Sequence, residues 1–149
     1  MPRPTIHASA VLVGSRAVLI QGPSGSGKSQ LALALLDAAQ TGTLTFARLV
    51  ADDRAEIEAV HGRLLVRPPA ALAGLLEVRG LGIRRLAYEP LAVVGLIVDL
   101  AAPDASRMPE PAAQAREIEG ITLPRLAVAA GQPPLPPVLS YLRTFNAVT

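Results

Sequence analysis

A glycine- and serine-rich segment at residues 22–29 carries the clearest chemistry in this 149-residue sequence. It fits the pattern G-x-x-x-x-G-K-[ST], in which glycines let the backbone curl so that successive N–H groups point at phosphate oxygens. The lysine places a compact ammonium between the β- and γ-phosphates, and the final hydroxyl can ligate Mg²⁺. We therefore predict a nucleotide-binding P-loop formed by Gly22, Pro23, Ser24, Gly25, Ser26, Gly27, Lys28 and Ser29.

Lys28 is the only lysine among fourteen basic residues, the other thirteen being arginine. Arginine cannot replace a compact ammonium in such a loop, so the surviving lysine strengthens the prediction. A GTPase needs an Asn-Lys-x-Asp motif and hence a second lysine, which excludes that class. A compact kinase or a nucleotide sensor remains. The net charge of only +2 gives little support for nucleic-acid binding.

Acidic residues at three places are candidates for the metal ligand and proton acceptor that phosphoryl transfer requires. Asp52 and Asp53 are adjacent, and like charges this close need a cation or hydrogen-bond donors nearby, a metal or Arg54 for example. They are alternatively ordinary turn residues before a hairpin. Asp99 follows an apolar run, as a Walker B acid or a strand-terminating turn residue does. Glu77 begins the segment Glu-Val-Arg-Gly-Leu-Gly at residues 77–82.

That segment, Glu-Val-Arg-Gly-Leu-Gly, alternates Glu77 and Arg79 on one face of an extended stretch and then has two glycines that permit close backbone approach. A surface ion pair is the alternative interpretation. Of the two histidines, His61 precedes a glycine in a turn and is expected to be exposed. His7 lies in an apolar first strand, where a histidine is more often a core residue than a catalytic one.

The elements that must position these residues alternate between strands and one strong helix. The helix, residues 29–40, is apolar nearly all round, which favours burial against a sheet, and Gly42 is its expected C-cap. Prolines at 68–69 end a hairpin, and a helical turn is expected at 70–75. The strands are expected at 10–13, 17–21, 44–51, 56–60, 63–66, 91–99 and 121–129, with a surface loop at 101–120 and a terminal helix or tail at 133–149. This order predicts an α/β fold, a P-loop-containing mixed sheet with a buried helix after the phosphate loop.

Length and composition limit the class of protein and the number of domains. The chain fits one domain, residues 1–149, and 50% hydrophobic against 17% charged residues argues against disorder. No apolar run reaches the roughly 18 residues of a membrane span, and no export signal begins the sequence. Without cysteine there is no disulfide or thiol chemistry. We expect a cytoplasmic, soluble domain with no membrane or nucleic-acid partner.

Four segments together resemble a known family. A strand with Ile6 and His7, the loop at 22–29, Leu-Val-Ala-Asp-Asp-Arg at 49–54 and Leu-Leu-Glu-Val-Arg-Gly-Leu-Gly-Ile at 75–83 are similar to the C-terminal catalytic domain of HPr kinase/phosphorylase. The resemblance covers about residues 5–100. The Glu-Val-Arg-Gly-Leu-Gly stretch resembles that family's own signature and is more specific than the loop.

The resemblance implies a bifunctional enzyme. It phosphorylates a serine of the phosphocarrier protein HPr with ATP and Mg²⁺, and removes that phosphate with inorganic phosphate to give pyrophosphate. It implies that Asp52 is the base for the acceptor serine, that His7 orients that residue, and that Asp53 supports the site. Ser29 and Glu77 are then the Mg²⁺ ligands, and Arg79 holds the phosphate or the signature loop. A homo-oligomer, typically a hexamer, is also implied.

Several positions depart from the family pattern. We expect a short form without the family's usual N-terminal domain; Pro23 stands where an acid is common, and Gln30 where Glu or Thr is usual. The expected mobile-loop arginine has only Arg107 or Arg116 as a counterpart, and the partner-binding helix is hard to recognise in residues 133–149. Asp99 lies where the family needs no acid and is taken as structural. The alternative function is a nucleotide-binding regulatory module that signals through a partner without kinase activity; a small-molecule kinase is disfavoured because no Arg-rich lid follows.

Overall fold

The computed structural model describes residues 3–144 and shows eleven strands and two α-helices within that range. Two 3-10 turns, Ala70–Leu72 and Pro111–Gln114, lie between strands. The helices are α1 (Lys28–Gln40) and α2 (Leu135–Arg143). The strands are β1 (Thr5–His7), β2 (Ser9–Val13), β3 (Arg16–Gln21), β4 (Ala47–Ala51), β5 (Arg54–Val60), β6 (Arg63–Arg67), β7 (Leu75–Val78), β8 (Gly82–Arg85), β9 (Ala92–Asp99), β10 (Ala115–Ile118) and β11 (Ile121–Ala127).

Nine of these strands form one mixed, curled sheet whose main path runs β1-β5-β6-β9-β3-β2-β4. The buried strand β9 is its centre and pairs in parallel with β3. At the start of β9, Ala92 and Val93 pair with antiparallel β6, whereas at its end residues 97–99 pair with parallel β11. Because β9 changes partner along its length, the sheet curls. The other two strands, β7 and β8, form a separate hairpin.

The core lies on both faces of the sheet. On one face, Leu31 and Leu35 of α1 pack with apolar residues of β2, β3 and β9, and Val138 of α2 joins the same cluster. On the other face, a second cluster is built from alanine and larger aliphatic side chains of β2 to β6 and β9, with Ile57 and Leu64 among them. Helix α1 contributes its apolar surface as the sequence predicts, and it is fixed against the strand that leads into the glycine-rich loop.

The structure confirms most of the predicted elements near the loop. The hairpin β2–β3, the helix after residue 27, the hairpin β5–β6 and the buried strand β9 all occur close to their expected bounds. The helix predicted in the C-terminal segment spans Leu135–Arg143, and residues 145–149 of that prediction lie outside the described residues. The predicted mixed α/β sheet with a buried helix is therefore correct.

Three predictions were wrong in detail. The strand predicted at 44–51 begins at Ala47, since Leu44 is buried in the loop after α1. The segment predicted as extended at 77–82 is a hairpin, because residues 79–81 turn between β7 and β8. The loop predicted at 101–120 contains the Pro111–Gln114 turn and β10, which pairs antiparallel with β11 across Glu119 and Gly120. The alternating Ala-Arg-Glu-Ile of β10 acquires its strand character from that partner.

Within residues 3–144, neither helix is long and apolar enough to cross a membrane.

Candidate active site

The glycine-rich loop connects β3 to α1 and presents the N-terminus of that helix. Gly27 caps α1 with a left-handed backbone (φ +100°), and the first turn contains no acidic residue to offset the positive end of the helix dipole. The Lys28 ammonium donates hydrogen bonds to the carbonyls of Gly22 (2.8 Å) and Pro23 (3.2 Å). The loop therefore places a cation and a helix N-terminus side by side, which is a general arrangement for binding an anion.

Gly22 is held tightly against the end of the neighbouring strand. A Cβ at this position would lie 2.6 Å from Ser26 Oγ and 3.0 Å from both the Cβ and the carbonyl oxygen of Leu100. The Leu100 N–H in turn donates to the Gln21 carbonyl (2.8 Å). Only glycine fits this approach, so the start of the loop is fixed by the end of β9.

Asp52, at the end of β4, joins three segments through one carboxylate. Its Oδ1 accepts hydrogen bonds from the hydroxyls of Ser9 and Ser29, both at 2.7 Å, and its Oδ2 accepts from the Glu77 N–H at 3.1 Å. Asp52 and Ser9 are buried. These bonds tie the first turn of α1 and the start of the Glu-Val-Arg-Gly-Leu-Gly segment to the acidic pair.

Above this buried carboxylate lies a cleft of about 290 Å³, the active-site cleft, where four charged side chains meet. Its lining includes residues 24–25 and 27–30 of the loop and α1 together with Asp53, Glu77 and Arg79. The structure therefore brings the predicted loop, the second aspartate, the glutamate and the arginine together. Asp53 has a left-handed backbone (φ +69°), which turns the chain from β4 into β5.

The cleft offers few protein oxygens for a divalent cation. No group of three or more His, Cys, Asp and Glu side chains suited to a metal occurs within residues 3–144. Mg²⁺ at nucleotide sites is typically bound by one or two protein oxygens plus phosphate oxygens and waters. Because Ser29 uses its proton toward Asp52, its oxygen lone pairs stay available, and Glu77 lies in the same cleft. The residues present fit Mg²⁺ bound together with a nucleotide.

The two histidines and Arg54 take different places. His7 is exposed on edge strand β1, opposite Arg54, and the next residue, Ala8, donates its N–H to the Asp53 carbonyl (3.2 Å). The core placement considered for His7 on general grounds is therefore wrong. His61 is exposed in the turn after β5, as predicted, at the opposite end of that strand from Arg54. Within residues 3–144, Arg54 donates its backbone N–H to the Asp52 carbonyl, and two serine hydroxyls and the Glu77 N–H bond the Asp52 carboxylate instead.

Asp99 is held by arginines outside the active-site cleft. Its Oδ2 accepts from Arg125 Nε (2.8 Å) and also pairs with Arg116, whose other nitrogen donates to Gln21 Oε1 (3.0 Å). Arg125 also donates two hydrogen bonds to the Asp104 carboxylate, at 2.9 and 2.8 Å. The structural role expected of Asp99 agrees with this network. Of the two candidate mobile-loop arginines, Arg116 belongs to the network, while Arg107 lines a different cleft.

Hydrogen bonding and charge within this network shift two pKa values. The Arg125 guanidinium donates to the Asp104 carboxylate and thereby lowers the pKa of Asp104 below its ordinary value. The same bond, followed by the Asp99 carboxylate, raises the pKa of Arg125 although the side chain is buried. Both shifts favour the charged forms, so the network is an ion-pair cluster at ordinary pH.

Sequence reasoning missed Ser9 and Arg125. Ser9 is the one hydroxyl residue of β2, an otherwise apolar strand, and that polarity was the available signal. Arg125 lies within β11 and is buried; nothing in the local pattern separates it from a solvent-facing arginine of a half-buried strand. Both residues act through partners distant in sequence.

Comparison with known proteins now gives the class and then the family. A solved structure described as the Hpr(Ser) kinase/phosphatase from Coxiella burnetii matches this fold with a TM-score of 0.75, covering 95% of each chain at 25% identity. The class is thus a mixed α/β kinase fold. The chain belongs to the family described as HPr Serine kinase C-terminal domain, whose profile matches residues 1–88.

Curated relatives agree with this membership. A protein of Clostridium beijerinckii named HPr kinase/phosphorylase is 42% identical over 82 residues, which cover 55% of this chain and 25% of the relative. A protein of Xylella fastidiosa with the same name is 45% identical over 83 residues, 55% of this chain and 24% of the relative. Both relatives are enzymes by name, and the matched segment spans about a quarter of their length.

Proposed function

We propose that this chain is an ATP-dependent serine kinase acting on an HPr-like phosphocarrier protein, and that it also removes the phosphate with inorganic phosphate. The observation that carries the proposal is the position of the Asp52 carboxylate, which accepts hydrogen bonds from both the Ser29 hydroxyl of the loop and the Glu77 backbone N–H. Phosphoryl transfer to a serine needs a proton acceptor beside the phosphate loop, whereas a plain binding module needs no base. Family membership and the names of the relatives support the same activity.

The loop at residues 22–29 is proposed as the P-loop that holds ATP. Its backbone N–H groups and the N-terminus of α1 attract the phosphates, and Lys28 exchanges its carbonyl partners for β- and γ-phosphate oxygens. Ser29 and Glu77 are the proposed Mg²⁺ ligands. When bound, Mg²⁺ neutralises charge on the phosphate oxygens. The chain itself orients the Ser29 hydroxyl, because its proton is directed at Asp52.

Asp52 is proposed to take the proton of the acceptor serine. Each carboxylate oxygen has two acceptor positions, and those of Oδ1 are filled by Ser9 and Ser29. Within residues 3–144, Oδ2 accepts only from the Glu77 N–H, which leaves one position for the serine hydroxyl. As the oxygen of the acceptor serine bonds to the γ-phosphorus of ATP and ADP leaves, the serine proton passes to Asp52 Oδ2. In reverse, inorganic phosphate displaces the serine oxygen, pyrophosphate forms, and the proton returns to serine.

Asp53, His7 and Arg79 have supporting roles in this proposal. Asp53 lines the active-site cleft and supports the metal and the site geometry, and Arg79 lies there as a cation for the transferred phosphate. His7 lies on edge strand β1, and the next residue, Ala8, bonds to the Asp53 carbonyl. His7 is proposed to orient the acceptor serine. A cytoplasmic location remains a prediction from the sequence, and a homo-oligomer remains a prediction from the family resemblance.

A protein acceptor is favoured by the surface beside the active-site cleft. The turn and strand that follow Arg79 expose Leu81 (67%) and Ile83 (63%), while Arg84 and Arg85 of the same strand are also exposed. Exposed apolar side chains on a projecting hairpin beside charged ones are typical of protein contacts.

The kinase activity is tested with labelled ATP, Mg²⁺ and an HPr-like protein. We expect label on a serine of the carrier with the wild type and none with Lys28→Ala. Asp52→Asn is expected to bind ATP and transfer no label, whereas the matched Asp53→Asn retains part of the activity. Thermal unfolding of each variant verifies the fold. Transfer abolished by Asp53→Asn but not by Asp52→Asn would assign the proton acceptor to the other aspartate.

The reverse activity has its own readout. Phosphorylated carrier incubated with inorganic phosphate is expected to release pyrophosphate, and release of phosphate alone would contradict phosphorolysis. A wild-type chain that binds ATP but labels no carrier would instead support the regulatory nucleotide-binding module.

A further inference from the structure

Two strand ends meet directly before the glycine-rich loop. Gln21, the last residue of β3, pairs in parallel register with Asp99, the last residue of β9. The next residue of that strand end, Leu100, donates its N–H to the Gln21 carbonyl (2.8 Å). Gly22, which begins the loop, approaches Leu100 so closely that a Cβ on the glycine would lie 3.0 Å from it. The path of the loop therefore depends on how these two strand ends are held together.

One guanidinium joins the side chains at both strand ends. Arg116, on β10, donates from Nη1 to Gln21 Oε1 (3.0 Å) and pairs through Nη2 with the Asp99 carboxylate. Because a guanidinium is planar and its donors form a fixed fork, it holds two acceptors at a set separation. Strand β10 itself pairs with β11 and with neither β3 nor β9. The bridge between the two strand ends is therefore made by this side chain.

The two ends of the bridge differ in their other contacts. The buried Asp99 carboxylate also accepts from Arg125 Nε (2.8 Å), and Arg125 is bonded in turn to Asp104. The Gln21 side chain has the bond from Arg116 as its one hydrogen bond among the described residues. Without Arg116, Asp99 keeps a cationic partner, whereas the residue next to the loop loses its side-chain contact. The bridge therefore matters more to the loop than to charge compensation.

We propose that Arg116 is a positioning residue for the nucleotide: by bridging Gln21 and Asp99, it holds the start of the glycine-rich loop in the conformation that binds the phosphates. The inference rests on the proposed nucleotide-binding function. It gives that function a contribution from β10, which lies outside residues 1–88, the part matched by the family profile. Arg116 does not line the active-site cleft, so it acts through the loop. A loop that is fixed in advance requires less ordering when the phosphates bind.

The first test is the affinity of the loop for phosphates. Calorimetry, well below the unfolding temperature, measures binding of Mg-ATP and of magnesium tripolyphosphate to the wild type and to Arg116→Ala. We expect both ligands to bind about tenfold more weakly to the variant, because the loop contacts the phosphates that they share. Arg116→Lys keeps a positive charge beside Asp99 but has no fork, and is expected to lose most of the same affinity. Wild-type affinity in Arg116→Lys would overturn the bridge.

Gln21→Leu removes the other end of the bridge. This variant is also expected to weaken both ligands, and the double variant with Arg116→Ala is expected to bind no more weakly than Arg116→Ala alone, because both changes break the same bond. Losses that add would contradict the proposal. Arg63→Ala, at an exposed arginine of the turn between β5 and β6, is the matched control and is expected to change neither affinity. Thermal unfolding verifies that each variant is folded.

The kinase assay separates positioning from direct contact with the transferred phosphate. Arg116→Ala is expected to raise the KM for ATP about tenfold and to leave kcat at saturating ATP within about twofold of the wild type. A large loss of kcat at unchanged KM would instead give Arg116 the mobile-loop role that the family resemblance allows, and would overturn the proposal. Unchanged ligand affinity with a lower unfolding temperature would overturn it too, because Arg116 would then stabilise only the fold.

Failure of this inference is distinguishable from failure of the proposed function. A wild-type chain that binds neither ATP nor tripolyphosphate overturns both. A wild-type chain that binds ATP but labels no carrier overturns the proposed kinase, and the calorimetric comparison still decides the role of Arg116.

Discussion

Ser29 and Asp52 are joined by a 2.7 Å hydrogen bond from the serine hydroxyl to Oδ1, although 23 positions separate them. The bond fixes the first turn of α1 to the end of β4. Because Ser9 donates to the same oxygen, β2 is tied to this centre as well. The geometry of the proposed metal and phosphate site therefore depends on a buried carboxylate as much as on the glycine-rich loop itself.

Ser9→Ala tests that dependence. The substitution removes one donor from a buried carboxylate and is expected to lower the free energy of unfolding by about 1–3 kcal/mol. Kinase activity is expected to fall as well, because Ser29 then becomes the only hydroxyl that holds Oδ1. Urea unfolding and the labelled-ATP assay measure the two effects. Ser15→Ala, in the exposed β2–β3 turn, is the control, and equal midpoints for the two variants would contradict the role of Ser9.

Much of this site was predictable because its residues lie in contiguous motifs. Three motifs have a glycine or charge pattern that is visible in the sequence: the loop at 22–29, the acidic pair at 52–53 and the Glu-Val-Arg-Gly-Leu-Gly segment. The structure places these motifs around one cleft and one carboxylate. Ser9 was not predicted because its contact with Asp52 depends on the pairing between β2 and β4, whose register shifts at Ala10 and Val11.

The features that were predicted wrongly or missed are those whose structure depends on pairing with another segment. Strand β10 has four residues and gains its hydrogen bonds from β11, so local propensity alone does not distinguish it from a loop. Arg125 is buried because Asp99 and Asp104 surround it, and neither acid is near it in sequence. Pairwise charge compensation of this kind leaves no periodic signal.

Gly22→Ala tests the close approach between the glycine-rich loop and β9. The added Cβ meets Ser26 Oγ and the Leu100 backbone, so the loop must shift. We expect a loss of about 2 kcal/mol in unfolding free energy beyond that of a control glycine, together with weaker ATP binding. Gly14→Ala is that control: Gly14 also has a positive φ (+62°), but its Cβ would meet nothing within 4 Å. Equal losses in the two variants would show that backbone strain, and not the contact with Leu100, requires glycine at 22.

Asp104→Asn tests the pH dependence of the arginine network. Arg125 lowers the pKa of Asp104 in the folded chain, so this ion pair stabilises the fold at pH values above the ordinary carboxyl pKa of about 4. That stabilisation is lost as the pH falls through the lower folded value. Wild type is therefore expected to lose more stability than Asp104→Asn between pH 7 and pH 3, as measured by urea unfolding at each pH.

Asp37→Asn is the control for this titration. Asp37 is exposed on α1, and its carboxylate makes no hydrogen bond or ion pair with a side chain in residues 3–144. It is expected to follow the wild-type pH profile. If Asp104→Asn followed that profile too, the Arg125–Asp104 bond would contribute nothing measurable to stability in acid.

The β7–β8 hairpin allows the protein acceptor to be tested apart from the chemistry. Leu81 and Ile83 are exposed near Arg79 but do not line the active-site cleft, so replacing both with serine leaves the nucleotide site unchanged. If the carrier protein packs on this surface, Leu81→Ser with Ile83→Ser is expected to raise the KM for the carrier about tenfold, as loss of buried apolar contacts does at interfaces. The ATP affinity and the unfolding temperature stay at their wild-type values. Met108→Ser, a change at an equally exposed apolar residue (72%) of the 101–110 segment, provides the comparison. A KM for the carrier that is the same in both variants would exclude the hairpin as a docking surface.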